Sequence, residues 1–211
     1  MTIMFQYNQE QALQAGESGF INQTGAYVGK ITSAKWVKAK SSYAAALELS
    51  FEDINGLKAN YISLWHTKSD GQPNPFAQQH IQAIMGLTGV QQLTAIRGSG
   101  EEIHCPELLN KPIGFILQKI LFTKQDGSDG FKFEIVVSSH AQTGQTMKEK
   151  IEGKAAERVR KLMETLKDKD ERNHQAAPTP YPTAPLTPPQ RQAQAKQPVQ
   201  PVNDVEDDVP F

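Results

Sequence analysis

Cysteine is almost absent: Cys105 is the single one in 211 residues. That excludes an internal disulfide and any metal site built on paired thiolates. His104 stands beside it, but neighbours on an extended chain point to opposite sides, so no metal and no cofactor is expected. Nowhere do about 18 apolar residues run together, which excludes a membrane-spanning helix. The opening Met1-Thr2-Ile3-Met4-Phe5 lacks the basic-then-apolar pattern of a secretion signal, and the expected setting is a reducing cytoplasm. A charge excess is missing too. With 22 Lys and Arg against 23 Asp and Glu, any nucleic-acid surface has to be a local cluster rather than a bulk field. Glycine-rich phosphate loops are absent. Asp126 to Asp129 imitates a calcium loop only in part, since Val137 stands where the closing acid belongs. Glu48, Glu52 and Asp53 have no Lys or His at a telling spacing for a nuclease, so a solvated strand face is expected there and no enzyme.

What is present divides in two. Nine of the 13 prolines fall between 178 and 210. Residues 1–172 carry 20 Lys and Arg against 19 acids, whereas 173–211 carry 2 against 4, all four acids lying between Asp204 and Asp208. The expected organisation is a folded body over 1–172, a Pro/Gln-rich linker over 173–203 and an acidic tip over 204–211. A linker of Pro, Gln, Ala and Thr cannot bury enough apolar area to offset chain ordering, so it is expected to be disordered.

In the body, 26–39, 43–52 and 57–66 alternate apolar and polar residues as half-buried strands do. Asn55-Gly56 is a hairpin-turn signal between the second and third. Phe76, Ile81, Ile84 and Met85 recur at helical spacing up to Gly86, and Thr88 to Ile96 reads as a second short helix. Strands resume over 113–122 and 131–137. From Thr146, with Glu149 as its capping-box partner, Met147, Ile151, Ala155, Val159, Leu162, Met163 and Leu166 predict one amphipathic helix over 146–171. It would pack on the body or on a second copy, which leaves a homo-oligomer open. The fold class expected is mainly β: a five-stranded barrel of the oligonucleotide-binding type, with a helix between strands 3 and 4 and a C-terminal amphipathic helix. Other small barrels and sandwiches share this element order.

A groove for single strands needs lysines for phosphates and exposed aromatic faces for bases. The densest such cluster is Lys30, Lys35, Trp36, Lys38, Lys40 and Tyr43, with Trp36 in even-position phase with three of the lysines. The third strand adds Lys58, Tyr61, Trp65 and Lys68, and the last hairpin Lys124, Phe131 and Lys132. Tyr43, Phe51, Phe115 and Phe133 are expected in the core. Trp36 is assigned to DNA, Trp65 stands evenly between core and DNA, and the lysines have strand-edge solvation as the alternative.

The sharpest signal is Asp204-Val205-Glu206-Asp207-Asp208-Val209-Pro210-Phe211. A terminal carboxylate on an aromatic residue, stiffened by proline and preceded by acids, suits an apolar pocket with a basic rim. The alternative is an acidic solubility tail. Asp207, Asp208, Val209, Pro210 and Phe211 resemble the tip of bacterial single-stranded DNA-binding proteins, which usually reads Asp-Asp-Ile-Pro-Phe. The plan of barrel, linker and acidic tip is similar as well. The Pro-rich linker and the extra helix depart from the bacterial pattern. The segments 25–31, 47–71 and 133–149 look more like a phage-type family found beside recombination genes. The resemblance implies sequence-independent single-stranded DNA binding in phage or prophage replication, recombination or repair, within the host cytoplasm. It also implies host partners at the tip: exonucleases, helicases, a clamp-loader subunit and a recombination mediator. The rival reading is an adaptor or decoy that captures host repair enzymes without binding DNA.

Overall fold

A computed structural model of the chain describes Tyr7, residues 19–98 and residues 100–172; the linker and the acidic tip lie outside these residues. The architecture is mainly β. Strands β1 (Gly25–Lys38), β2 (Ala45–Asp53) and β3 (Lys58–Thr67) form an antiparallel meander, followed by helix α1 (Pro75–Thr88). Two short strands come next, β4 (Ile96–Arg97) and β5 (Ile103–His104), then the long hairpin β6 (Pro112–Thr123) and β7 (Asp129–Ser139). Helices α2 (Met147–Glu152) and α3 (Arg158–Met163) and strand β8 (Lys169–Asp170) complete it.

All eight strands belong to one sheet, where five were expected, and three of them are only two residues long. Strand β1 is its axis. One side pairs with β2 along most of its length; the other pairs with β6 at Gly25–Lys30 and with β5 at Lys35–Trp36. The sheet is open rather than closed into a barrel, because among the described residues no ladder joins β3 to β7.

Inward side chains of both halves meet in one core. Phe51 and Phe115 contact edge to face at 5.2 Å, surrounded by Ile31, Leu47, Leu49, Ile62, Ile113 and Leu117. Helix α1 adds Ala77, Ile81, Ile84 and Leu87 from one face. A fully buried Ile such as Ile84 stabilises by about 1.5–3 kcal/mol relative to exposure. Gly86 does not stop this helix; its missing side chain makes room for Met147, and the helix ends at Gly89, whose φ of 72° is left-handed. Phe133 is also core, as expected. Tyr43 is not: it stands 80% exposed in the β1–β2 loop.

Two further expectations fail. Residues 89–95 are not helical, because Thr94 is pinned to Glu107 and to the Trp36 indole instead. The long C-terminal helix is broken at Gly153, whose φ is 63°. Its cause is Glu149, buried at the gap. One carboxylate oxygen accepts from the Thr146 N–H and hydroxyl, both at 2.9 Å, completing the expected capping box. The other accepts from the Glu157 and Arg158 N–H groups at 2.9 and 2.8 Å, so it caps the next helix as well. Ile151, which a continuous stripe would bury, is 73% exposed.

The Asn55-Gly56 turn exists in a longer form. Only Gly56 has positive φ, and Asp53 organises the reversal by accepting from the N–H groups of Asn55 and Leu57. Asp53 is therefore a buried turn brace and not part of a solvated face.

Burial raises the Glu149 pKa, but the four donors around it outweigh burial and bring it down to about 2. A depressed carboxylate stabilises the fold above its unfolded pKa, near ~4.3, and that contribution is lost as pH falls toward about 2. Glu149→Gln, which replaces one acceptor by a donor, is expected to cost about 1–3 kcal/mol in urea unfolding at pH 7. The gap to the parent should largely close at pH 2.5. Gly29 carries a second test. A Cβ there would lie 2.0 Å from the Glu52 carbonyl oxygen, so Gly29→Ala should destabilise by about 2–4 kcal/mol in the same assay.

Candidate nucleic-acid interface

Whether a residue of β1 or β3 reaches the outer face depends on two bulges level with Ser50 of β2. In β1 the register slips between Ile31 and Ser33, leaving Thr32 extra. In β3, Asn60 and Tyr61 together oppose Ser50, since Leu49 faces Ile62 and Phe51 faces Ala59. Each bulge reverses the alternation of its strand while β2 keeps its own. Ile31 and Ala34 are consequently both buried, as are Ala59 and Ile62.

This shift corrects the phase expected for Trp36. Beyond the bulge, even positions of β1 turn inward. Trp36 is half-buried against the core, donates its indole N–H to the Thr94 carbonyl at 2.9 Å and meets the His66 ring at 5.5 Å. It does not share a face with Lys30. The outer face is laid out in rows across β1, β2 and β3: Lys30, Glu52 and Lys58; then Ser33, Ser50 and Tyr61; then Lys35, Glu48 and Ser63; then Val37, Ala46 and Trp65. Tyr61 and Trp65 are 77% and 42% exposed on it.

Two of the three lysines in these rows are paired. Lys30 approaches Glu52 at 3.8 Å, and Lys35 holds Glu102, which reaches in from the β4–β5 turn, at 2.7 Å. The other Glu102 oxygen lies 3.4 Å from His104. The hydrogen bond from Lys35 moves the Glu102 pKa down and raises that of Lys35. Glu102 was not singled out from the sequence, and no motif marks it.

Three lysines without an ion pair among the described residues stand at one end. The β1–β2 and β3–α1 loops are tied by the Tyr43 N–H donating to the Ser69 carbonyl at 3.2 Å, and Tyr43 lies over Gly71. Lys38, Lys40 and Lys68 stand on these loops or next to them, none with an ion-pair partner among the described residues. Asp70 lies among them, its carboxylate accepting from the Gln72 N–H at 2.9 Å. Tyr43 and Trp65 supply the ring faces at this end. Lys124, Phe131 and Lys132 stand apart on the β6–β7 hairpin, which no described ladder joins to β2 or β3. There Lys132 pairs with Glu134 at 2.7 Å, and Lys119 lies 4.8 Å above the half-exposed Phe131 ring.

Behind the interface, Cys105 is buried and its thiol is pushed up to about 12, by burial first and then by the Glu107 carboxylate. Glu107 is held down at about 2, chiefly by the Thr94 hydroxyl. His104 and Cys105 thus have separate acidic partners, and among the described residues no three His, Cys, Asp or Glu side chains come together as a metal site. An open cavity of about 910 Å³ between α1, β7, α2 and α3 is lined by Arg158 and by charges that pair with one another, Lys154 with Glu152 and Lys161 with Glu157. Among the described residues no helix is long and apolar enough to cross a membrane. Compared with known proteins, the chain matches no protein-family model and no curated sequence.

Among the described residues Tyr61 and Asn110 are the two non-glycine residues with positive φ, and Tyr61 is the bulky one. Its φ of 61° is left-handed, a conformation that costs a bulky residue about 1–2 kcal/mol and suits glycine. An exposed aromatic ring held there does not serve the core. Tyr61→Gly is expected to leave stability unchanged or raise it by up to about 1 kcal/mol in urea unfolding. A simple loss of stability would show that the ring braces the bulge.

Proposed function

We propose that the protein is a non-enzymatic single-stranded DNA-binding protein of phage or prophage replication, recombination or repair. The observation that carries this reading is the meeting of Lys38, Lys40 and Lys68, unpaired among the described residues, with the exposed rings of Tyr43 and Trp65 at one end of the sheet. Phosphates would track the lysines while bases stack on Tyr43, Trp65 and Tyr61. Stacking is blind to sequence because every base has a π-face, so the binding is general. The oligonucleotide-binding class is supported by the element order β-β-β-α-β-β of the long strands and by β1 pairing with both β2 and β6. In the same reading, the acidic segment ending Asp207-Asp208-Val209-Pro210-Phe211 recruits host DNA-metabolism proteins, through acids steered by a basic rim and a ring seated in an apolar pocket.

Titrating the full chain with an unstructured mixed-sequence 30-mer should quench tryptophan emission through Trp65, whereas duplex of the same sequence should not. Tyr43→Ala and Trp65→Ala should each cost about 1–3 kcal/mol of affinity. Replacing Lys38, Lys40 and Lys68 together by Ala should lower the slope of log K against log salt by about 2. Absence of both quenching and a gel shift would remove the DNA-binding function and leave protein capture by the tip.

A further inference from the structure

We infer that Glu48 gives the interface a preference for bases that carry an amino group, cytosine over thymine among the pyrimidines. The inference rests on the proposed single-strand binding and deepens it.

Glu48 lies at the centre of the outer face, between Lys35 of β1 and Ser63 of β3. Its flanking residues Leu47 and Leu49 are fully buried, which fixes its own side chain outward. Ser63 sits midway between the two exposed rings of β3, Tyr61 and Trp65, whose α-carbons are about 13 Å apart at ~3.3 Å per residue. Glu48 is one strand spacing away, about 5 Å. A strand stacked on both rings therefore passes the carboxylate between them.

That carboxylate is not directly paired. Lys35, its partner across the β1–β2 ladder, feels the Glu48 charge but is bonded to Glu102 at 2.7 Å, and among the described residues Glu48 has no hydrogen bond or ion pair of its own. Two carboxylates flanking one lysine make this row a poor place for a phosphate. The chain of phosphates is steered to the Lys38, Lys40 and Lys68 end, and a base edge is what meets Glu48. A carboxylate only accepts hydrogen bonds. The exocyclic amino group of cytosine offers it two hydrogens at the rim of the ring, while the single donor of thymine, N3–H, lies between the acceptors O4 and O2, which repel a carboxylate.

The test compares (dC)20 with (dT)20 at pH 8 and constant salt, by tryptophan quenching of the full chain. Both are flexible pyrimidine strands, so stacking differs little between them. The wild type should bind (dC)20 about five- to tenfold more tightly. Glu48→Ala should bring the two affinities together. Equal affinities in the wild type, or a preference that persists in the alanine variant, would overturn the inference while leaving the binding function standing. Failure to bind either strand would overturn both.

Discussion

Strand β1 is bonded on both sides, to β2 along one edge and to β6 and β5 along the other. Everything else depends on its fit into that position. Two backbones can close on it only because Gly29 has no side chain where the Glu52 carbonyl arrives. The strand can contribute to one core along all its length only because the Thr32 bulge resets its phase halfway. The matching bulge in β3 keeps the meander in register and places Tyr61, in left-handed geometry, on the outer surface. The constraint that builds the core thus also decides which side chains reach solvent.

The electrostatic pattern follows from the same register. Three lysines and three glutamates alternate over the middle of the outer face, so little net field remains there. Lys38, Lys40 and Lys68, unpaired among the described residues, stand at the loop end, where the β1–β2 and β3–α1 loops are tied through Tyr43 and Ser69. The proposed single-strand binding needs no more than this local basic end on a body of balanced charge.

Much of this was legible in the sequence. The five long strands begin and end within two residues of where alternation places them, and the capping box at Thr146 and Glu149 is there. What defeated the reading of Trp36 was counting by twos through a bulge. The signal was available: Ile31 and Ala34, and again Ala59 and Ile62, are inward residues three apart, a spacing that a regular strand cannot give both burials. The single long helix failed because periodicity does not register a glycine turn braced by one carboxylate that caps two helices. Tyr43 was placed in the core because its position matches the phase of β2, yet the strand begins at Ala45 and the ring belongs to the loop. The Lys35–Glu102 pair spans 67 residues and leaves no local trace at all.

Cys105 bears on how such an interface can be observed. Its sulfur is shielded and stays protonated at any ordinary working pH, and the chain has no second thiol. Maleimide chemistry on the folded protein consequently meets an almost silent background. A cysteine introduced at position 43 would carry a dye alone, turning the exposed loop into a reporter without first stripping out the native residue.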